Sequence, residues 1–338
     1  MGELADDVVD LLERTPEFSG VVRVDVGDEI VVAAARGFAD RANGVPNTVA
    51  TRFGVASVTK TFSGLAVVSL IVDGVLSLDT TARSVLGDDL PLIDDAVTVG
   101  QLLGHRSGIG DYLDEEQLSG MSDYVMTVPV HQLDSTEAFL AVLGGFPQVS
   151  APGTAFVYNN GGFVVLSLIA ERAAGQPYHD LVRERVIRPA GLTDTDFLRS
   201  DERPADVAIG YLHPEGLRSN VLHMPVLGVG DGGITSSAAD LHRLWAALRD
   251  GRVVPPEWAE RVTSPSGEFA EGEDRYGLGV WLAQGAEAQM VGHDAGISAA
   301  STDDPAIGVR WTVISNWSDG AWLIVKALRG LIAAAVSP

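Results

Sequence analysis

Residues 55–68 read VASVTKTFSGLAVV. One side chain in this run does not match its surroundings. Lys60 is the only charge between Arg52 and Asp73, and it is one of just two lysines in a chain of 338 residues that carries 21 arginines. The run has the apolar content of a buried helix, where a lysine faces desolvation unless its pKa falls or it finds partners. Ser57 precedes it by three residues, a spacing that on a helix puts both side chains on one face, within reach of each other. Thr51–Val55 reads as extended, so Ser57 falls at the first helical turn, where unpaired backbone N–H groups stabilise an oxyanion. A neutral or hydrogen-bonded amine accepts the proton of a serine. A guanidinium, with a pKa above about 12, does not. The need for a titratable amine thus accounts for lysine here, with Ser57 as the nucleophile it helps to activate. Taken alone, Ser-x-x-Lys reads more simply as a helix cap followed by a lysine that snorkels to solvent.

Composition narrows the classes. A hydrophobic fraction of 46% and a charged fraction of 20% are those of a globular protein with a substantial core. The formal net charge of −23 argues against sequence-independent binding to nucleic acid or anionic lipid, both of which repel a polyanion. The absence of cysteine removes disulfides, thiolate nucleophiles and cysteine-ligated zinc. The N-terminus, MGELADDVVDLLERTPEF, lacks the basic start and apolar stretch of a secretory signal and reads as an acidic amphipathic helix. No run reaches the ~20 apolar residues of a membrane span. A cytoplasmic protein without membrane attachment is expected.

Outward from the opening stretch, GVVRVDV and IVVAAARG flank the turn Gly27-Asp28-Glu29, a hairpin signature. Near the other end YGLGVWLA, AQMVGH and VRWTVISNW read as three more strands, followed by a closing helix from about Ala321. Short connections favour antiparallel neighbours, so five or more strands form one sheet covered by the terminal helices. The middle reads as helices over 99–103, 136–143, 162–174, 178–186 and 238–248, separated by Gly/Pro/Asp-rich loops. The expected organisation is an α/β sheet domain from residues 1–76 and 249–338, with a mostly helical region, 77–248, inserted into it. A ligand site belongs in the crevice between two such regions.

Five blocks carry a resemblance. TRFGVASVTKTFSGLAVVSLIVDGVLSLD, VTVGQLLGHRSGIGDY (97–112), PGTAFVYNNGGFVVLSLIAERAAGQPY (152–178), GDGGITSSAADLHRL (230–244) and VGHDAGISAAS (291–301) occur in this order. Together they resemble the class C β-lactamase-related serine hydrolases, a superfamily that includes penicillin-binding DD-peptidases, D-aminopeptidases, family VIII esterases and some acyltransferases. The resemblance covers the chain from about Gly20 to Trp317. It implies the β-lactamase/transpeptidase-like fold, α/β plus all-α, with the site in the cleft. It also implies roles. Tyr158, in the Tyr-x-Asn match Tyr158-Asn159-Asn160, shares a proton with Ser57 and Lys60, serves as general base for acylation and passes the proton to the leaving group. Asn160 helps to hold the lysine and the acyl-side amide of the substrate. The N–H groups of Ser57 and Gly296 form the oxyanion hole.

His293-Asp294-Ala295-Gly296 departs from the family pattern at two points. His293 stands where lactamases have the lysine that orients a substrate carboxylate, which disfavours β-lactam hydrolysis. Ala295 replaces a glycine, and its methyl group is expected to crowd the substrate's approach. Asp231, in a glycine-rich turn, is placed near substrate. The G-x-G-x-x-G at 228–233 follows no clear strand and does not read as a dinucleotide site. His105 reads as a packing residue, and Asp111, Asp114, Glu115 and Glu116 as a solvated acidic loop. No metal or cofactor is implied. The reading is a serine hydrolase that forms an acyl-enzyme with a small acyl substrate. Esterase-like activity is favoured over a D-amino-acid amidase or peptidase and over acyl transfer. The rival from another class is a binding protein that has kept the fold.

Overall fold

The apolar β-branched runs at the two ends of the chain pair with each other. In the computed structural model, which describes residues 2–115, 118–269, 274–283 and 287–336, they form a seven-stranded antiparallel sheet. Its strands are β1 (Gly20–Val26), β2 (Glu29–Arg36), β3 (Arg275–Tyr276), β4 (Trp281–Leu282), β5 (Ala288–Asp294), β6 (Ile297–Asp304) and β7 (Val309–Ser315), in the order β2-β1-β7-β6-β5-β4-β3. Gly20 lies opposite Ser315 and Val26 opposite Val309, so the first strand is held by the last.

Side-chain alternation gives the sheet two buried faces. On one, Val22, Val24, Ala300, Trp311 and Val313 meet the terminal helices α1 (Gly2–Glu13) and α5 (Trp322–Val336). The other carries Val21, Met290, Ala299 and Ile314 into the larger core. β6 is the strand that the sequence hides. Its residues, ISAASTDD, are small and polar, yet all but the last are buried. They are satisfied from above and from the side: Trp245 Nε1 donates to Ser301 Oγ at 3.0 Å, and Ser301 Oγ lies 2.7 Å from Thr312 Oγ1.

The helix over the opening stretch, α2 (Thr59–Val72), is buried from Thr59 to Leu70, as a helix apolar on all sides must be. It packs between α3 (Asn160–Ala174) and the end of the sheet. Gly64 permits the second contact, because a Cβ there would stand 2.6 Å from Leu278 O. α4 (Ala238–Arg249), read from the sequence as part of the helical insertion, lies on β1 and β7 instead. Its polar side chains reach the strands: His242 Nδ1 lies 2.8 Å from Asp25 Oδ2, and Arg249 binds Asp303 at 2.6 Å. Among the described residues, no helix is long and apolar enough to cross a membrane.

Candidate active site

Phe53-Gly54 pairs with Ser236 and Thr235 in a small three-stranded sheet, and Val55 N donates to Ile234 O at 3.0 Å. The chain then turns sharply. Ala56 has φ +48°, a left-handed conformation that costs a residue with a Cβ on the order of 1 kcal/mol. It opens a single 3-10 turn, Ala56–Val58, that runs into α2 and presents Ser57 at the cleft. Thr59 Oγ1 accepts the Ile234 N–H at 3.1 Å and fastens the turn to its neighbour.

Lys60 is 1% exposed. Its Nζ lies 2.9 Å from Ser57 Oγ, 2.7 Å from Asn160 Oδ1 and 3.0 Å from the Asp231 carbonyl, which uses all three ammonium protons. Burial pushes its pKa down, while Asp231, Glu115, Asp111 and Asp294 pull it up, and burial dominates. The lysine therefore has every partner it needs, and a proton that it releases more readily than an exposed lysine would.

The Tyr158 side chain faces the same lysine, with Lys60 Nζ 5.0 Å from its ring centroid. Its ring stacks on Trp281 with centroids 5.4 Å apart, and His105 packs against it at 4.4 Å. His105 also has a left-handed backbone, φ +55°, and its Nδ1 accepts the Asn159 N–H at 3.1 Å, which fixes the loop that delivers the tyrosine. Burial raises the phenol's pKa well above the ordinary 10, and Glu115 adds to the rise, so Tyr158 stays protonated at neutral pH. Ser63, one turn beyond Lys60, donates to Gly230 O at 2.6 Å and sits 2.6 Å from the Tyr178 hydroxyl. This braces the loop whose next carbonyl, that of Asp231, holds the lysine.

The opposite wall differs from expectation at each of its residues. The β5–β6 hairpin closes at Asp294↔Ile297 with Ala295-Gly296 as its loop. Gly296, with φ +73°, donates its N–H to Ser318 Oγ at 2.9 Å, so this amide is engaged inside the protein and is not offered to an oxyanion. Ala295 is buried in the turn and does not line the cleft; its carbonyl accepts from Asn220 Nδ2 at 2.9 Å. Its methyl group therefore crowds nothing. The His293 imidazole turns away to Asp319, 3.2 Å, and to Trp322, whose ring it meets at right angles. It does not take the place of a substrate-orienting lysine.

Hairpin register leaves a different amide of this strand unpaired. In a hairpin with a two-residue loop the closing pair exchanges both hydrogen bonds, and the next pair, His293↔Ser298, exchanges none. The His293 N–H thus points to the free edge of β5, beyond the part covered by β4 at Ala288 and Gln289. The segment Val55–Ser57 packs on the face of β5 at Gly292. A Cβ on Gly292 would stand 2.1 Å from Val55 O and 3.2 Å from Ser57 N, so only glycine allows the approach.

The acidic loop is not simply solvated. Asp111 receives the N–H groups of Asn160 and Gly161 at 2.6 and 2.8 Å and caps α3, and burial raises its pKa to about 6. Glu115 accepts from Asn160 Nδ2 at 2.9 Å. Glu116 lies outside the described residues. Asp231 reaches the cleft, where its carboxylate takes the Tyr112 hydroxyl. Asn160 holds the lysine through its oxygen, as the resemblance implies, but its amide nitrogen is given to Leu113 O at 3.0 Å and to Glu115, with no donor left for a substrate.

The Beta-lactamase family profile matches residues 8–334. The chain belongs to the Beta-lactamase family. Esterase EstB of Burkholderia gladioli is a family relative 30% identical over 364 residues, which cover 96% of this chain and 87% of that one. A penicillin-binding protein of Bacillus subtilis (strain 168) is 27% identical over 308 residues; the match takes in 85% of this chain but only 64% of that longer protein. The crystal structure of a penicillin binding protein from Bacillus halodurans superposes with a TM-score of 0.88 at 32% identity, covering 96% of this chain and 99% of that chain. The β-lactamase/transpeptidase-like fold is thereby shown, as is membership of a family of β-lactamase-fold hydrolases.

Proposed function

We propose that the chain is a serine hydrolase that works through an acyl-enzyme on small esters or amides, with esterase-like activity favoured. One observation carries the reading: Ser57 Oγ stands 2.9 Å from the amine of a buried lysine, which the half-buried Tyr158 ring faces at 5.0 Å, at the wall of a cleft of about 360 Å³. A helix cap needs neither partner.

The pKa directions divide the labour. Lys60 is the group whose proton burial loosens, and Tyr158 the one whose proton burial tightens. Lys60 therefore serves as base and Tyr158 as proton donor. Ser57 Oγ attacks the carbonyl carbon as its proton passes to Lys60. The carbonyl electron pair moves onto oxygen, between the N–H groups of Ser57 and His293, in place of the pairing with Gly296 that the family resemblance implies. The tetrahedral species collapses to the acyl-enzyme, and the leaving alkoxide or amine takes a proton from Tyr158, which Lys60 replenishes. Water, deprotonated by the same pair, then releases the acyl group and restores Ser57. Similarity to EstB, an esterase, supports the ester preference.

The test is p-nitrophenyl butyrate hydrolysis by the wild type and by Ser57→Ala. Activity lost in the variant supports the reading. Equal rates in both, or no activity in either, would remove the support for Ser57 as nucleophile and leave the choice between a narrow amidase or transferase and a binding protein.

A further inference from the structure

Deacylation asks more of the site than acylation does, because the attacking group is a free water with two protons and no tether to the protein. In the proposed mechanism the Lys60–Tyr158 pair receives one of those protons. The other points away from the pair and needs an acceptor of its own. Three carboxylates line the cleft with Ser57: Glu115, Asp231 and Asp294. Two are committed. Glu115 accepts from Asn160 Nδ2 at 2.9 Å, and Asp231 takes the Tyr112 hydroxyl. Asp294 Oδ1 accepts a local bond, from the Ala295 N–H at 2.7 Å, which occupies one of about four acceptor sites on a carboxylate. Among the described residues no lysine, arginine or histidine forms a salt bridge with it.

Strand geometry places this carboxylate. Side chains two apart on a strand share a face and stand about 7 Å from each other, and Asp294 is one such step beyond Gly292 on β5. A Cβ at Gly292 would lie 3.2 Å from Ser57 N. Ser57 is therefore at the start of that step and the carboxylate at its end, with room between them for an acyl carbonyl and one water. The charge of Asp294 reaches Lys60 and Tyr124. His293, one residue earlier, faces the other way, to Asp319 and Trp322, as alternation requires. Burial raises the Asp294 carboxyl to about 7; Glu115 and Asp231 add to the rise, while the Ala295 N–H and Lys60 oppose it. Above that pH the group is a carboxylate and can only accept hydrogen bonds.

We propose that Asp294 is a further catalytic residue, which holds the water that hydrolyses the acyl-enzyme. The inference rests on the serine-hydrolase reading and deepens its second half. In the acyl-enzyme Lys60 is neutral again, since the serine proton has left with the alcohol or amine. The water donates one O–H to Asp294 and the other to Lys60, which turns a lone pair of its oxygen toward the acyl carbon. As that oxygen bonds to the carbon, the proton facing Lys60 passes to the amine and the carbonyl electron pair moves onto the carbonyl oxygen. The electron pair then returns and the bond from carbon to Ser57 Oγ breaks. Ser57 Oγ takes a proton from Tyr158, which Lys60 replenishes. The second proton of the water stays on the new carboxylic acid, beside Asp294, and is lost to solvent. Acylation has no water to hold and proceeds without Asp294.

The test is the hydrolysis of p-nitrophenyl butyrate at about pH 8 by the wild type, Asp294→Ala, Asp294→Asn and Ser57→Ala. Here kcat/KM reports acylation, and the decay of butyryl-enzyme, followed by the mass of the quenched intact protein, reports deacylation. Asp294→Ala is expected to slow that decay by about 10–100-fold, the range of a hydrogen bond to a charged group. Its kcat/KM is expected to stay within about threefold of the wild type, so that butyryl-enzyme accumulates behind a burst of p-nitrophenol and KM falls with kcat. Asp294→Asn, which fills the same space and keeps a weaker acceptor, is expected to fall between the two. A decay constant unchanged in both variants overturns the inference while the serine reading stands. So does a kcat/KM that falls as far as the decay constant in both, the mark of a structural role. A butyryl adduct that forms as readily on Ser57→Ala overturns the serine reading itself.

Discussion

In the proposed mechanism Ser57, Lys60 and Tyr158, on one wall of the cleft, act through side chains whose identity cannot change without changing the chemistry. On the other, the Gly292–His293 segment would contribute an absent side chain and a backbone N–H. The first wall leaves a signature of residue types at fixed spacing. The second leaves almost none, because an amide belongs to every residue and its direction is set by hairpin register. Matching blocks by type therefore places the oxyanion donor at Gly296, where the structure has a turn amide already bonded to Ser318.

Experiments that break this comparison can be ranked by expected effect. Ser57→Ala and Lys60→Arg strike the side-chain wall, and each is expected to lower kcat/KM for p-nitrophenyl butyrate by at least about 10³-fold. The arginine variant is the sharper of the two, since it keeps the charge and removes only the ability to titrate. Gly292→Ala strikes the backbone wall, where the added Cβ must push β5 away from Val55 and Ser57. A fall in kcat of about 10²–10³-fold is expected, the cost of losing one oxyanion donor. Ser318→Ala frees the Gly296 amide without touching His293 and is expected to change kcat by less than about threefold. A large effect of Ser318→Ala together with a small one of Gly292→Ala would return the oxyanion donor to Gly296.

The pH profile separates the two proton carriers. Lys60 is depressed below its ordinary 10.5 by burial, and it must be neutral to act as base. The rate therefore rises with pH, about tenfold per unit on the acid limb, and levels off at a midpoint below 10.5. Stopped assays from pH 5 to about 10 read this directly, and a falling limb over that range would shift the base role away from Lys60. The smallest effect is expected from Tyr178→Phe, which removes a hydroxyl hydrogen-bonded to Ser63 but leaves Ser63 on Gly230. A loss of about 1 kcal/mol in chemical denaturation, with kcat altered only a few-fold, fits a brace behind the lysine.

What the sequence discloses follows the same division. The odd lysine, the serine before it and the tyrosine loop are brought together in space, and the terminal strands pair as their alternation implies. β6 is not legible, because its burial is achieved with serine, alanine and threonine whose hydroxyls find partners only in the folded sheet. Nor is α4 legible as a cover for the sheet. Asp25, to which its His242 binds, lies 217 residues earlier in the chain. The acidic run after Gly110 looks like solvent-facing charge by composition, and only the fold shows Asp111 beneath a helix terminus and Glu115 on Asn160. Gly292 did carry a signal: a residue without a side chain in the middle of a strand marks a place where another backbone comes close.

The pairing of β1 with β7 has a consequence for how the molecule is made. Ser19 and Asn316 are joined by a 2.7 Å hydrogen bond across 297 positions of chain. On a ribosome that emits roughly 5–20 residues per second, the first strand waits tens of seconds for the neighbour that covers its edge. Until then its two apolar faces and open hydrogen-bonding groups are available to other chains. Heterologous yield should therefore depend on chaperone supply and temperature during synthesis more steeply than the stability of the finished fold would suggest.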